Sequence, residues 1–453
     1  MANEPPYDIT SRESIIHYAK FLVGHTLREK VHIEQIDDPK VRRGSFGNAI
    51  EEYYFKYDIN SNQEPDFSEA GLELKTTPMK RNPKGSLVAK ERLVITMIDY
   101  NKVVKESFET SHFMKKASSI LLIVYLWEEN LNPIDYEVLF AEEWDPSEED
   151  RAQFKADWEK IVNKVRAGHA EDISGSDTLY LEACTKAANS SVRRSQPYSD
   201  VPAKPRAWAI KASYMTVIEN KLLSGSQKIE RSEDERELDL LSLLRKRFQP
   251  FFGMTLGQLC ERFGVAVSGR RLPKNAAALV TRRILGVDDD ADIEEFVKAG
   301  AKTKTIRLKR TGRPKEAVSF PAFDYFKLES TPFEQSDFYG NLQQLWLFVI
   351  YREDERGFYR LSDLCFWQMP ERDIPEAKRC YDQMRRNVEL GRADVSVKSS
   401  ENRCCHVRPH GRDSADVLPQ PHGMPVTKKC FWLNQSYLQD EIERILKEND
   451  SKM

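Results

Sequence analysis

The segment Glu64-Pro65-Asp66-Phe67-Ser68-Glu69-Ala70-Gly71-Leu72-Glu73-Leu74-Lys75-Thr76 holds acids and a lysine at spacings that can do chemistry. Its end alternates apolar and charged residues, the period of a β-strand. Leu72 and Leu74 are therefore expected to face a core, and Glu73 and Lys75 to project together from the opposite face. Ala70-Gly71 supplies a tight entry to that strand, which lets Asp66 on the preceding turn fold back beside Glu73. Two carboxylates and an ammonium then converge. A strand with Glu and Lys alternating is, by itself, the usual dress of a solvated sheet face. The neighbourhood sets this one apart: a further acid, Glu51, closes the segment Gly47-Asn48-Ala49-Ile50-Glu51, and a second copy of the pattern lies later in the chain.

The elements that must position these groups occur twice. Gly24-His25-Thr26-Leu27 corresponds to Gly253-Met254-Thr255-Leu256, and Ala70-Gly71-Leu72-Glu73-Leu74-Lys75-Thr76 to Ala299-Gly300-Ala301-Lys302-Thr303-Lys304-Thr305. Phe108-Glu109-Thr110-Ser111-His112-Phe113 matches Phe333-Glu334-Gln335-Ser336-Asp337-Phe338, and each is followed by an apolar strand, Ile120 to Trp127 or Leu345 to Tyr351. Ala212-Ser213-Tyr214 matches Gln435-Ser436-Tyr437. Four matches in one order point to duplication of a domain of about 220 residues, a pseudo-dimer in one chain. The polar stretch Ser224 to Glu237 divides the copies, so the expected organisation is a domain over 1–223, a linker over 224–237 and a second domain over 238–453. Within each half the pattern runs helix, short strands, helix, which predicts an α/β, mixed α+β fold. Arg151 to Val165, with Phe154, Trp158, Ile161, Val162 and Val165 at helical spacing, reads as an amphipathic helix with those positions in the core.

A length of 453 residues is about three times a usual domain, and 40% hydrophobic with 31% charged residues is an ordinary globular composition. The longest apolar run, Ile120 to Trp127, is too short to cross a bilayer, and Met1-Ala2-Asn3-Glu4 begins no secretory signal; a cytoplasmic protein with no membrane partner is expected. Seven cysteines without a Cys-x-x-Cys pair read as reduced thiols. Cys404-Cys405-His406 with His410 resembles a zinc set only superficially, because adjacent cysteines do not readily share a tetrahedral site; buried thiols are expected there. A net charge of −3 does not advertise a nucleic-acid binder, so local patches must decide.

Four segments resemble the MutH-type endonucleases, comprising the mismatch-repair nicking enzyme and type II restriction endonucleases that recognise GATC. They are RRGSFGNAIEEYYF (Arg42 to Phe55), PDFSEAGLELKTTP (Pro65 to Pro78), FETSHFMKK (Phe108 to Lys116) and CTKAANSS (Cys184 to Ser191), in family order. The tandem arrangement is similar to the larger two-domain restriction enzymes. The resemblance implies two restriction-endonuclease-like domains, each a mixed central sheet flanked by helices, in a bacterial cytoplasmic protein. It implies that Asp66, Glu73 and Lys75 are the catalytic aspartate, glutamate and lysine, that Glu51 is the helix-borne carboxylate beside them, and that Lys116 is a further active-site lysine. Asp66, Glu73 and Glu51 would then hold Mg²⁺, with Mn²⁺ able to substitute, since hard carboxylate oxygens suit such ions. Lys75 would orient or help deprotonate the attacking water and Lys116 offset charge developing on the phosphate.

Lys186-Ala187-Ala188-Asn189 corresponds to the family's GATC-reading loop, although Cys184 stands where the repair enzyme has arginine. The expected DNA contacts of the first half are Arg43, Lys186, Asn189, Ser190, Arg193, Arg194 and Lys211. In the second copy Asp66 becomes Glu295, Glu73 becomes Lys302, and the segment matching Glu51, Asn275 to Val287, has no acid. A lysine in place of a metal-binding glutamate repels Mg²⁺, so this copy is expected not to hydrolyse phosphodiesters. Positive charge gathers there instead, at Lys302, Lys304, Arg307, Lys309, Arg310, Arg313 and Lys315, while Arg408, His410 and Arg412 occupy the place of the Lys186 loop. The second half is thus expected to bind GATC duplex as an effector or positioning domain.

The leading expectation is a Mg²⁺-dependent type II restriction endonuclease cutting double-stranded DNA at GATC. It would be a monomer in isolation that pairs on DNA, with a cognate methyltransferase as its genetic partner. A mismatch-repair nickase is the nearest alternative, and a non-cleaving DNA-binding regulator the alternative of a different class.

Overall fold

The computed structural model describes residues 5–31, 46–56, 64–82, 85–219, 226–266, 272–273, 275–413 and 415–450. Arg43 lies outside them. The chain divides into two compact units: unit 1 takes in Met1–Ser226, Arg231–Asp239 and Val297–Ala299, and unit 2 takes in Gln227–Glu230, Leu240–Phe296 and Gly300–Met453.

Among its described residues unit 1 has nine strands: β1 (Glu73–Arg81), β2 (Leu87–Ala89), β3 (Leu93–Met97), β4 (Ile120–Leu126), β5 (Val138–Trp144), β6 (Leu181–Thr185), β7 (Arg194–Gln196), β8 (Ser199–Ala203) and β9 (Arg206–Ile210). They form a mixed sheet in the order β2-β1-β4-β5, a smaller sheet β3-β9-β6 and the hairpin β7-β8. Strands β1 and β4 are parallel, Glu73 opposite Ile120 and Lys75 opposite Leu122, while β2 and β5 run antiparallel to their neighbours. Every residue of β4 is buried, as befits a central strand covered on both faces. Leu72, Leu74, Leu121 and Ile123 share one core with Ile15, Leu22, Leu27 and Ile50 of the N-terminal helices and turns. The expected amphipathic helix spans Glu148–Arg166; Ser147 caps it, and Phe154, Trp158, Ile161, Val162 and Val165 are all buried.

The polar segment between the copies is not a bare linker. Ser226–Gln227 form a short strand, β10, and Glu233–Glu235 a 3₁₀ turn with Ser232 in a capping box. Ile229 is fully buried in unit 2, where its N–H donates to the Glu295 carboxylate. Charge density hid one apolar anchor and a buried acid, Glu235.

Unit 2 follows with β11 (Asp292–Ile293), β12 (Ala301–Leu308), β13 (Val318–Ala322), β14 (Leu345–Glu353), β15 (Tyr359–Trp367), β16 (Cys405–Pro409), β17 (Val417–Gln420), β18 (Gly423–Thr427) and β19 (Lys429–Leu433). Its sheets β12-β14-β15 and β13-β19-β16 and its hairpin β17-β18 repeat the plan of unit 1, save that among the described residues β12 has no outer neighbour corresponding to β2; β12 and β14 are parallel. Helices Ile374–Glu389 and Gln435–Asp450 follow the same order as those after β5 and β9. All seven cysteines are buried free thiols, as expected from the sequence. Among the described residues no helix is long and apolar enough to cross a membrane.

Candidate active site

A tight hairpin builds the site. Phe67 and Leu72 exchange backbone hydrogen bonds at 2.9 and 3.2 Å, and Gly71 closes the turn with φ +63°, a conformation that side-chain-bearing residues seldom adopt. This returns Asp66 to the start of β1. The Leu74 N–H donates to Asp66 Oδ2 at 2.9 Å, and the Asp66 N–H donates to Glu73 Oε2 at 3.3 Å. Arg12, a residue that sequence reasoning passed over, pins the turn from outside. Its guanidinium donates to the Ala70 and Gly71 carbonyls at 3.2–3.3 Å and pairs with Glu143 at 2.7 Å.

Glu73 is fully buried, so it does not belong to a solvated sheet face. Lys75, two residues along the same face, donates to Glu73 Oε1 at 2.5 Å. Lys116 comes from the helix His112–Ala117, capped by Ser111, and donates to both Glu73 oxygens at 3.1 and 3.2 Å. A buried carboxylate is tolerated only when paired, and two ammonium groups meet that demand here.

Glu51 stands in a π-helical turn, Ile50–Tyr54, that follows the short helix Phe46–Ala49. Its pKa is pushed up to about 6, first by burial and then by the charge of Asp66, with Glu73 adding and the two lysines opposing. Asp66 is likewise raised, by burial and then by Glu73. Glu51 and Asp66, both held toward the protonated form by burial and neighbouring carboxylate charge, make with Glu73 a set of hard oxygen donors whose crowding a divalent cation would relieve, so the residues fit such an ion. They are not closed into a cage: among the described residues, the one trio of such donors with ligand atoms all within 4.8 Å is His169, Glu171 and Asp172, all at least partly exposed.

The other expected site residues divide. Lys186, Asn189 and Ser190 are exposed on the loop between β6 and β7, and Arg194 is exposed at the start of β7. Arg193 is exposed but folds back, donating to the carbonyls of Ser190 and Val192 at 2.7 and 2.9 Å. Lys211 corrects the expectation of a DNA-facing cation. Its ammonium is turned inward onto the carbonyls of Gly175 and Thr178, beside the buried Asp157, and burial lowers its pKa. In unit 2, Lys302 is exposed, Lys304 lies over the Trp346 ring at 5.0 Å, and Arg307 is paired with Glu316. Arg408 lies 3.7 Å above Trp432, whose edge meets His410, and Arg412 is exposed. Trp432 was missed because nothing in its local sequence marks it as a platform for a residue on the neighbouring strand.

The family described as "DNA mismatch repair enzyme MutH" matches residues 55–157 and again 286–378. The Type II restriction enzyme Sau3AI of Staphylococcus aureus is 31% identical across 96% of this chain and 99% of its own length. The chain belongs to the MutH family. MutH itself, from Actinobacillus pleuropneumoniae and from an Enterobacter species, is 30% and 26% identical over 40% of the chain and 79% and 77% of the relatives. Two matched regions and two like-built units make this member a tandem of MutH-like domains, and its family membership makes it a site-specific deoxyribonuclease.

Proposed function

We propose that this protein is a type II restriction endonuclease that cuts double-stranded DNA at GATC, with catalysis in unit 1 and DNA binding in unit 2. The observation that carries the reading is the buried Glu73, joined to Asp66 through the Asp66 N–H and to Lys75 and Lys116 through their ammonium groups. Asp66, Glu73 and Glu51 would hold Mg²⁺, or Mn²⁺ in its place. Such an ion supplies positive charge to the scissile phosphate. Lys75 orients the attacking water from the face it shares with Glu73. Lys116, fixed by its helix, offsets the charge that develops on the phosphate oxygens. The exposed Lys186, Asn189, Ser190 and Arg194 contact DNA in unit 1; Lys302, Lys304, Arg408, His410 and Arg412 do so in unit 2.

The MutH relatives favour a second reading, a nicking enzyme of mismatch repair. An unmethylated GATC plasmid incubated with Mg²⁺ separates the two: linear DNA supports the restriction enzyme, and open circles alone support the nickase. Lys75→Ala is expected to abolish either product while sparing most DNA binding. Cutting at the unaltered rate would remove Lys75 from the site.

A further inference from the structure

In unit 2 the place of the acidic pocket is taken by lysines. Gly300, at φ +62°, turns the chain into β12 as Gly71 turns it into β1, which puts Lys302 and Lys304 at the strand positions of Glu73 and Lys75. The counterpart of Glu51 falls on the helix Ala276–Leu285, which carries no acid. The counterpart of Asp66, Glu295, accepts from the Ile229 N–H, and that of Lys116, Asn341, donates back to the Asp337 carbonyl. The carboxylate that compensates two lysines in unit 1, Glu73, is therefore replaced by a lysine. Among the described residues neither Lys302 nor Lys304 forms an ion pair.

Lys304 is half-buried over Trp346, and Lys302 lies opposite the same tryptophan in the register of β12 and β14. Burial alone pulls the Lys304 pKa down, the mark of a cation that has lost water without gaining an anion. An oxyanion brought to this place recovers that cost, whereas a divalent cation is repelled. Arg307 and Lys315 flank the Tyr359 ring nearby, but Arg307 already has Glu316.

We propose that Lys302 and Lys304, backed by Trp346, form a metal-independent binding site for a phosphodiester of the DNA backbone, a cation-holding pocket converted into an anion-holding one. The inference rests on the reading that unit 2 binds duplex DNA.

The test uses the full chain carrying Lys75→Ala, so that DNA is not cut, and a fluorescent GATC duplex titrated in EDTA. The expected result is EDTA-resistant binding that falls at least tenfold in the double variant Lys302→Gln, Lys304→Gln. The slope of log affinity against log salt should become shallower by about 2, one unit per lost phosphate contact. Lys302→Arg with Lys304→Arg should restore most of the affinity, and unchanged thermal unfolding of all forms excludes misfolding. No EDTA-resistant binding in the parent would overturn the DNA-binding reading of unit 2 together with this proposal. EDTA-resistant binding that the glutamine pair leaves intact would overturn the lysine site alone.

Discussion

Units 1 and 2 share a set of turn-closing and helix-capping hydrogen bonds and differ where the chemistry would occur. Thr26 bridges Glu137 in unit 1 as Thr255 bridges Arg360 in unit 2, and both threonines close capping boxes, with Glu29 and Gln258 respectively. The Ser111 hydroxyl donates to the Phe108 carbonyl at 2.7 Å, and Ser336 to that of Phe333 at 2.6 Å. Tyr100 donates to the Lys204 carbonyl and Tyr325 to that of Thr427, at 2.6 and 2.7 Å. Within this shared frame, the position of a fully buried glutamate between two lysines in unit 1 is held by an exposed lysine in unit 2. Hydrogen bonds that close turns and cap helices fix the fold regardless of which charges the sheet end carries. The pocket can therefore change sign while the frame stays the same.

The strongest way to break the comparison is to give unit 1 the residue of unit 2. Glu73→Lys places a third ammonium beside Lys75 and Lys116 and should lower plasmid cleavage at least about a thousandfold, while DNA binding persists in EDTA. Retained cleavage would mean that Glu73 is not at the reacting centre.

A smaller effect sharpens the electrostatic difference. Glu51 keeps its proton up to about pH 6, above the ordinary carboxylate range, because burial and Asp66 disfavour its charged form. Holding a cation requires the ionised carboxylate, so Mn²⁺ affinity should rise with pH through about 6 and fall below it. The sign for stability is opposite: the folded protein binds the proton more tightly than the unfolded chain, so this group's contribution declines as pH rises toward about 6. Glu51→Gln should remove the acidic limb of the Mn²⁺ profile, and an unchanged limb would assign the titration elsewhere.

The smallest effect tests the sameness of the frames. Tyr214 donates to Asp150 at 2.7 Å in unit 1, and Tyr437 to Asp373 at 3.0 Å in unit 2. Tyr214→Phe and Tyr437→Phe should each cost about 1–3 kcal/mol, as hydrogen bonds to charged groups do, in the thermal transition of their own unit. A large loss for one and none for the other would show that the frames are not equivalent.

Much of this was legible in the residues. The Gly71 turn, the alternation of Leu72, Glu73, Leu74 and Lys75, and the helix through Phe154 and Trp158 are local patterns, and local geometry executes them. The duplication was legible because its anchors, such as Gly24 and Gly253, both at positive φ, sit at fixed points of the frame. What escaped was tertiary. No local pattern shows that Glu73 is sealed from water, that Arg12 reaches across 58 residues to the Ala70 carbonyl, or that Lys211 turns inward. Lys116 stood out through family resemblance, since only the packing of its helix brings it to Glu73. The basic stretch of unit 2 also overstated its charge, because Glu316 lies just beyond it and pairs with Arg307.

The most direct test of the division between the units is a titration with Mn²⁺ followed by electron paramagnetic resonance, on the intact chain and on Asp66→Asn. The account predicts one tight site per chain, lost on that substitution. Two tight sites, or one that survives Asp66→Asn, would contradict it.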